Sequence, residues 1–366
     1  MARIESLSIL LDPQGKAFLQ ELYGKVIANV QKGTLSTAFK NKDLSGDPTA
    51  GSVEANRYKN SKSQDYGTAR GEGKGKNIVA KPVVVKIDND KEIVEEMEAK
   101  DIKLYGVDGL LTRRSANHVA SMIRELEEAF YLETANGADR NYTPQEGESV
   151  ADTLESIFVQ LETTRNDYIN GVDRALMVAV LNPIKYSEIR TYLDVAVNNS
   201  NVNTAAEAFG MYHGVRIYSS VYLPKGVEAL VFVEGSVAQP AYDSGYGAEK
   251  IPLSEAFAVE LFFYYGTKVV TPDLIINWKK VLGTPTISIS SSTLTVGAVA
   301  NATAYEIRAQ VQGAPEFVIG ELKDAGTFDL SDADLVTGTD YTIKVVATNK
   351  QDGYQESVAA TEEYTA

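Results

Sequence analysis

Apolar residues recur at helical spacing in three stretches of this chain. Phe18, Leu19, Leu22, Val26, Ile27 and Val30 fall on one face over 16–32, and Gly33 stops that helix. Val119, Met122, Ile123, Leu126, Phe130 and Tyr131 make a second stripe over 115–135. Ser115 is its expected N-cap and Asn136-Gly137 its stop. Leu154, Ile157, Phe158 and Leu161 predict a third helix from Val150 to Thr164. The unbroken apolar run Ala175–Leu181, closed by Asn182-Pro183, reads as a buried strand followed by a helix over Tyr186–Val197.

Further on the period changes to two. His213–Ser220, Ala229–Val233, Ala256–Tyr265 and Lys268–Val270 read as strands, with a turn at Leu223-Pro-Lys-Gly226. From about Gly283 small polar and apolar residues alternate through Thr284–Val296, Ala304–Val311 and Tyr341–Ala347. Short strands with turn residues between them predict a separate β-sandwich of about 80–100 residues. Within it Leu335-Val-Thr-Gly-Thr-Asp-Tyr341 is the setting of a tyrosine corner, in which the phenol bonds back to the preceding turn.

One segment fits neither pattern. Residues 57–86 hold eight basic residues (Arg57, Lys59, Lys62, Arg70, Lys74, Lys76, Lys81, Lys86) against Asp65 and Glu72. Its glycine-spaced centre, Gly67–Lys76, has almost nothing to bury and cannot form a core alone. Residues 88–101 then reverse the balance, with seven acids, Glu92, Glu95, Glu96 and Glu98 among them. Ile78–Ile87 reads as a strand and Asp88-Asn-Asp90 as a turn. A two-stranded ribbon over 55–104, with 91–104 returning along 78–87, is therefore expected. Two strands are not stable alone, so the ribbon needs a neighbour. Opposite charge in its halves points to another copy of the chain.

Composition narrows the function classes. The chain has 366 residues, 44% of them hydrophobic, enough for two or three domains. No apolar run approaches the ~20 residues that span a bilayer, and the start, Met1–Leu7, lacks a signal-peptide pattern. Location in a cytoplasm is the expectation, with no membrane. Cysteine is absent and only His118 and His213 are present, which excludes thiolate sites and leaves little for histidine chemistry. The net charge of −15 is concentrated in 284–366, where 4 basic residues face 12 acids. Tight nucleic-acid binding over the whole surface is excluded by that balance.

No enzymatic constellation emerges, and no catalytic, cofactor or metal residue is predicted. Neither Gly-Lys pair in 67–76 has the glycine five positions earlier, or the following Ser or Thr, of a phosphate-binding loop. Asp329, Asp332 and Asp334 lack the calcium-loop spacing and read as a solvated turn. His118 is expected at a surface or interface, and Trp278 as a core or contact anchor.

In element order, residues 1–282 resemble the major capsid proteins of tailed bacteriophages, the Hong Kong 97-type α+β fold. The resemblance rests on the arm, the ribbon, the long helix, Val178-Ala-Val-Leu-Asn-Pro183 and Gly214–Gly226. It implies an N-terminal arm (1–54), an extended loop (55–104), a spine helix and peripheral domain (105–171), an axial domain (172–255) and a return to the peripheral domain (256–283). Residues 284–366 resemble the immunoglobulin-like or fibronectin type III-like domains that some phages append. A structural role follows: self-assembly into hexamers and pentamers of an icosahedral head, with portal and scaffolding proteins as partners and weak contact to packaged double-stranded DNA. The appended domain would face outward and contact host surface or glycan. Arg57, Lys59, Lys62, Arg70, Lys74, Lys76, Glu92, Glu95, Glu96 and Glu98 are the expected inter-subunit contacts. An encapsulin-type compartment and a tail or adhesin protein are the alternatives.

Overall fold

The computed structural model describes residues 13–44, 51–61, 63, 65–68, 80–98, 107–145, 147–195, 202–203, 208–209, 211–252 and 256–366. The first apolar stripe becomes α1 (Pro13–Gly33), begun by a proline whose missing N–H costs nothing in a first turn. A single turn, α2 (Ser36–Phe39), follows. Next come β1 (Ser52–Tyr58), β2 (Ala80–Lys86) and β3 (Asn89–Met97), then the 30-residue helix α3 (Val107–Asn136). Ser115 lies inside α3 instead of capping it, and its hydroxyl donates to the Thr112 carbonyl. The stop is as expected, with the Gly137 amide bonded to the Glu133 carbonyl.

The middle of the chain builds a three-layer unit. It runs β4 (Arg140–Tyr142), α4 (Val150–Glu162), β5 (Met177–Leu181) and α5 (Pro183–Val195). Short strands β6 (Val202–Asn203), β7 (Ala208–Phe209) and β8 (Met211–Tyr212) lead to β9 (Val215–Ser219) and β10 (Val227–Val233). After β11 (Val237–Ala238), β12 (Ala241–Lys250), β13 (Phe257–Tyr265) and β14 (Lys268–Val269), β15 (Ile275–Lys279) closes it. Six strands form one mixed sheet in the order β4-β15-β10-β5-β9-β8. Met177, Ala179 and Leu181 face Leu154, Ile157, Phe158 and Ile189 of α4 and α5. Val178 and Val180 face Phe130 and Tyr131 of α3, together with Phe39. Helices on both faces explain why β5 is apolar at every position instead of alternating. Trp278 belongs to this core and is 8% exposed.

The ribbon differs from expectation. β2 pairs with β1, from Ser52 opposite Lys86 to Tyr58 opposite Ala80, and not with the acidic segment. The acidic strand β3 instead lies along β13, which also pairs with β12. Alternation in β13 decides this: Phe257, Val259, Leu261, Phe263 and Tyr265 are buried towards α1 and α3. A strand with so large an apolar face needs partners on both edges to carry its backbone hydrogen bonds.

The C-terminal region is a sandwich. β16 (Ile287–Ser290), β17 (Thr293–Val296) and β20 (Gly326–Asp329) make one antiparallel sheet. β18 (Ala304–Gln310), β19 (Phe317–Leu322), β21 (Asp340–Thr348) and β22 (Ala360–Thr365) make the other, in the order β19-β18-β21-β22. Leu294, Val296, Ile307, Leu330, Ile343 and Val345 fill the space between them. The Tyr341 phenol, nearly fully buried, accepts the Val336 amide at 3.0 Å, so the expected corner is formed.

Loop 349–357 of the sandwich clasps the body. The Gly226 amide bonds to the Asp352 carbonyl, and the Lys280 amide to the Gly226 carbonyl. Gln355 bonds Lys280 and Leu282 through its amide and carbonyl. Tyr354 lies so close to Gly226 that a Cβ there would strike its ring and backbone. A glycine at the end of the 223–226 turn is what lets the two regions meet.

Candidate assembly surfaces

The root of the ribbon is held by polar contacts to the chain's own body. The Arg57 guanidinium reaches Asp273 Oδ2 at 2.7 Å, both side chains about 15% exposed. It also lies 4.3 Å from the centre of the Tyr168 ring, a cation–π contact. Asn166 donates to the same carboxylate oxygen, and Arg140 to the Asp273 carbonyl at 2.8 Å. Burial alone would push the Asp273 carboxyl up. The hydrogen bonds from Arg57 and Asn166 outweigh it and hold the group below its usual range. Lys59 pairs with Asp167 at 2.6 Å in a more exposed position.

Backbone shape sets the ribbon's exit. The Ile87 amide bonds to the Gly51 carbonyl, and Val85 is buried with Leu44 and Ala238. Gly266, in the β13–β14 turn, lies directly against the Lys86 carbonyl, where a Cβ would collide. Lys81 and Lys86 remain exposed on the ribbon. Lys62, Arg70, Lys74 and Lys76 lie outside the described residues.

The acidic residues divide by strand parity. Glu95 points inward, where Arg114 grips it through Nε at 2.8 Å and through a second nitrogen. The Arg114 hydrogen bond lowers its carboxyl below the usual range, against burial. His118 is 2% exposed, not at a surface, with Nε2 3.2 Å from Glu95 and Nδ1 2.6 Å from the Tyr246 hydroxyl. That cluster ties α3, β3 and β12 together. Glu95 thus has its partners within the subunit.

Asp90, Glu92 and Glu96 point the other way and are exposed, as is Glu98 just past the strand. Register brings Glu260 of β13 beside Val94, and Glu249 of β12 and Glu96 either side of Ala258. The outer face of this sheet thus gathers carboxylates around Val94, which is 50% exposed, with Phe262 and Tyr264 alongside. No Lys or Arg among the described residues shares that face. An acidic field with an apolar centre suits a basic partner that also carries aromatic or aliphatic groups.

Asp273, Asn166 and Tyr168 were not singled out by sequence reasoning. They lie more than a hundred residues from Arg57, and no local pattern marks them as its partners. Asp329 caps a short turn through Ser331, and no group of three or more metal-binding side chains is gathered among the described residues. Nor is any helix there long and apolar enough to cross a membrane.

No family model matches the chain, and no curated protein is similar to it. Solved structures do match. The capsid structure of cyanophage P-SCSP1u aligns with a TM-score of 0.51 at 13% identity, covering 64% of this chain and 85% of that one. A chain of Mycobacterium phage Che8 aligns at 0.48 with 17% identity, covering 63% and 85%. The virus-like particle from Pyrococcus furiosus aligns at 0.44 with 12% identity, covering 71% and 98%. The chain has the fold of phage capsid subunits of the Hong Kong 97 type.

Proposed function

We propose that this protein is the major subunit of an icosahedral phage head enclosing double-stranded DNA. The observation that carries the reading is the fold shared with the cyanophage P-SCSP1u capsid. It is supported by a basic, glycine-spaced stretch over 67–76 with almost no apolar residues and an acidic sheet face exposed on the same chain. In this reading the ribbon tip, with Lys62, Arg70, Lys74 and Lys76, lies over the face formed by Glu92, Glu96 and Glu260 of the next copy. Repetition of that contact around a symmetry axis closes a capsomer. Many weak contacts then hold the shell together.

Residues 284–366 serve as an outward domain of the fibronectin type III kind. Three-plus-four strand order and the Tyr341 corner support that assignment. Its acid excess suits a surface turned away from DNA. Host surface or glycan is the partner class assigned to it. Portal and scaffolding proteins complete the assembly, which takes place in the host cytoplasm.

Electron microscopy of the purified full chain tests the core of this reading. Closed shells are expected, and tubes or free oligomers would reject it. Nuclease-protected DNA in particles from infected cells separates a phage head from a compartment loaded with protein. A charge swap tests the ribbon contact. Lys74 and Lys76→Glu should lower particle yield and make it more salt-sensitive, and adding Glu92 and Glu96→Lys should restore it. Unchanged yield in the first variant removes the charge-guided docking.

A further inference from the structure

Where the sandwich meets the body there is a half-open cavity of about 520 Å³. Its walls come from both parts of the chain. Lys279 and Asn141 belong to the six-stranded sheet, and Lys350, Gln355 and Ser357 to the clasping loop. Lys279 ends β15, a strand buried at all five positions, and is itself only 9% exposed. Its ammonium has no hydrogen bond or ion pair at contact distance among the described residues and is open to the cavity, although the residue as a whole is buried.

Three other polar groups of the wall present donors, whereas Asn136 spends an amide hydrogen on the Lys350 carbonyl. Asn141 Oδ1 already accepts from Asn277, which leaves the Asn141 amide hydrogens unspent. Gln355 Oε1 likewise accepts from Thr143. Ser357 Oγ accepts the Ala347 amide, so its proton is free to be given. The one carboxylate in the wall, Glu356, also reaches Arg308 at 3.5 Å on the sandwich face.

We propose that this junction cavity binds a small oxyanion, a carboxylate or phosphate group, with Lys279 as its counter-charge and Lys350 closing over it from the sandwich. A cation on a mostly buried side chain, with the amide hydrogens of Asn141 and Gln355 and the Ser357 hydroxyl beside it, is complementary to such a group. The site exists only while sandwich and body are clasped, so occupancy strengthens their junction. The inference goes beyond the shell reading and does not depend on it.

Burial lowers the Lys279 ammonium to about 8, with Glu356 opposing that shift. Above that pH the lysine is neutral and its hold on an anion fades. Lys350, Tyr354 and Glu356 are the other titratable groups facing the cavity.

The test is thermal unfolding of the purified full chain, followed by fluorescence of Trp278, the chain's one tryptophan. Inorganic phosphate, and separately acetate, replaces chloride at constant ionic strength and neutral pH. Phosphate should raise the apparent midpoint by about 2 °C at concentrations well above its dissociation constant. Lys279→Met should abolish the response, whereas the control Lys323→Met should keep it. A response of equal size in Lys279→Met, or none in the native chain, overturns the site. Should Lys279→Met fail to fold, the native chain at a pH well above 8 decides: loss of the response supports the site, and persistence rejects it. Phosphate with no acetate response assigns the site to phosphate groups, and the reverse assigns it to carboxylates.

Discussion

The ribbon and the sandwich both extend from the same body, yet they are stabilised in different ways. Among its described residues the ribbon has only a small core, in which Val85 and Val53 pack with Leu44, Ala238 and Val270, and polar contacts at its root add to that. The sandwich encloses its own apolar interior, and its link to the body combines backbone hydrogen bonds at Gly226, Lys280 and Leu282 with side-chain contacts such as Asn136 to the Lys350 carbonyl. A segment with so small a core depends on whatever lies beside it, whereas one with a full core keeps its shape in any setting. The first therefore suits a contact that forms during assembly, and the second suits a module that must work unchanged before and after it.

Four substitutions test that contrast. The largest effect is expected from Asp273→Ala, which leaves the Arg57 guanidinium partly buried without its partner. A loss of about 3 kcal/mol in the ribbon's local stability should follow. Faster amide exchange in 52–58 and 80–86, with the sandwich unchanged, would show it. Acid should act on the same contact. The Asp273 carboxyl is held below its usual range, so its stabilisation is complete above about pH 4 and is lost as pH falls through the lower folded value.

Gly226→Ala comes next, because the added methyl meets Tyr354. A cost of about 2 kcal/mol is expected at the junction, read as faster exchange of the Lys280 and Gln355 amides. If the sandwich core melts as well, the two regions are less independent than their separate cores imply. Tyr341→Phe should cost about 1 kcal/mol by leaving the Val336 amide unpaired. It should lower the β-rich circular dichroism transition without moving the Trp278 fluorescence transition, since the sandwich holds no tryptophan.

The smallest effect concerns Glu127, a 1%-exposed carboxylate on α3 that accepts the Ser36 amide at 2.8 Å. Burial raises it, against the Ser36 hydrogen bonds that lower it. A raised acid favours the folded state while protonated and loses that advantage as pH rises through its folded value. Glu127→Gln keeps the acceptor and removes the charge. It should raise the midpoint by about 2 °C at pH 8 and leave it unchanged at pH 4.

Local signals carried much of this fold. The apolar period of Leu154, Ile157, Phe158 and Leu161 places α4, and the unbroken run around Val178 marks a strand covered on both sides. The Leu335–Tyr341 motif places a specific hydrogen bond, because every part of it lies within seven residues. Strand pairing was different. The β3 sequence alternates charged and apolar residues equally well against β2 or β13, and only the burial demand of Val259, Leu261 and Phe263 selects between them. The Arg57–Asp273 contact was invisible for a related reason: 216 residues separate its ends. Charge sign alone also hid the division between Glu95 and Glu92, which differ only in the side of the strand they occupy.

Gly226 has a consequence for the proposed head, in which the sandwich faces outward. Because its backbone admits Tyr354, backbone hydrogen bonds from Asp352 and Gln355 tie the sandwich to the body beside the 280–284 connection. Each copy would hold the same bearing, so any receptor engaged by several sandwiches at once would meet them at spacings dictated by the lattice beneath.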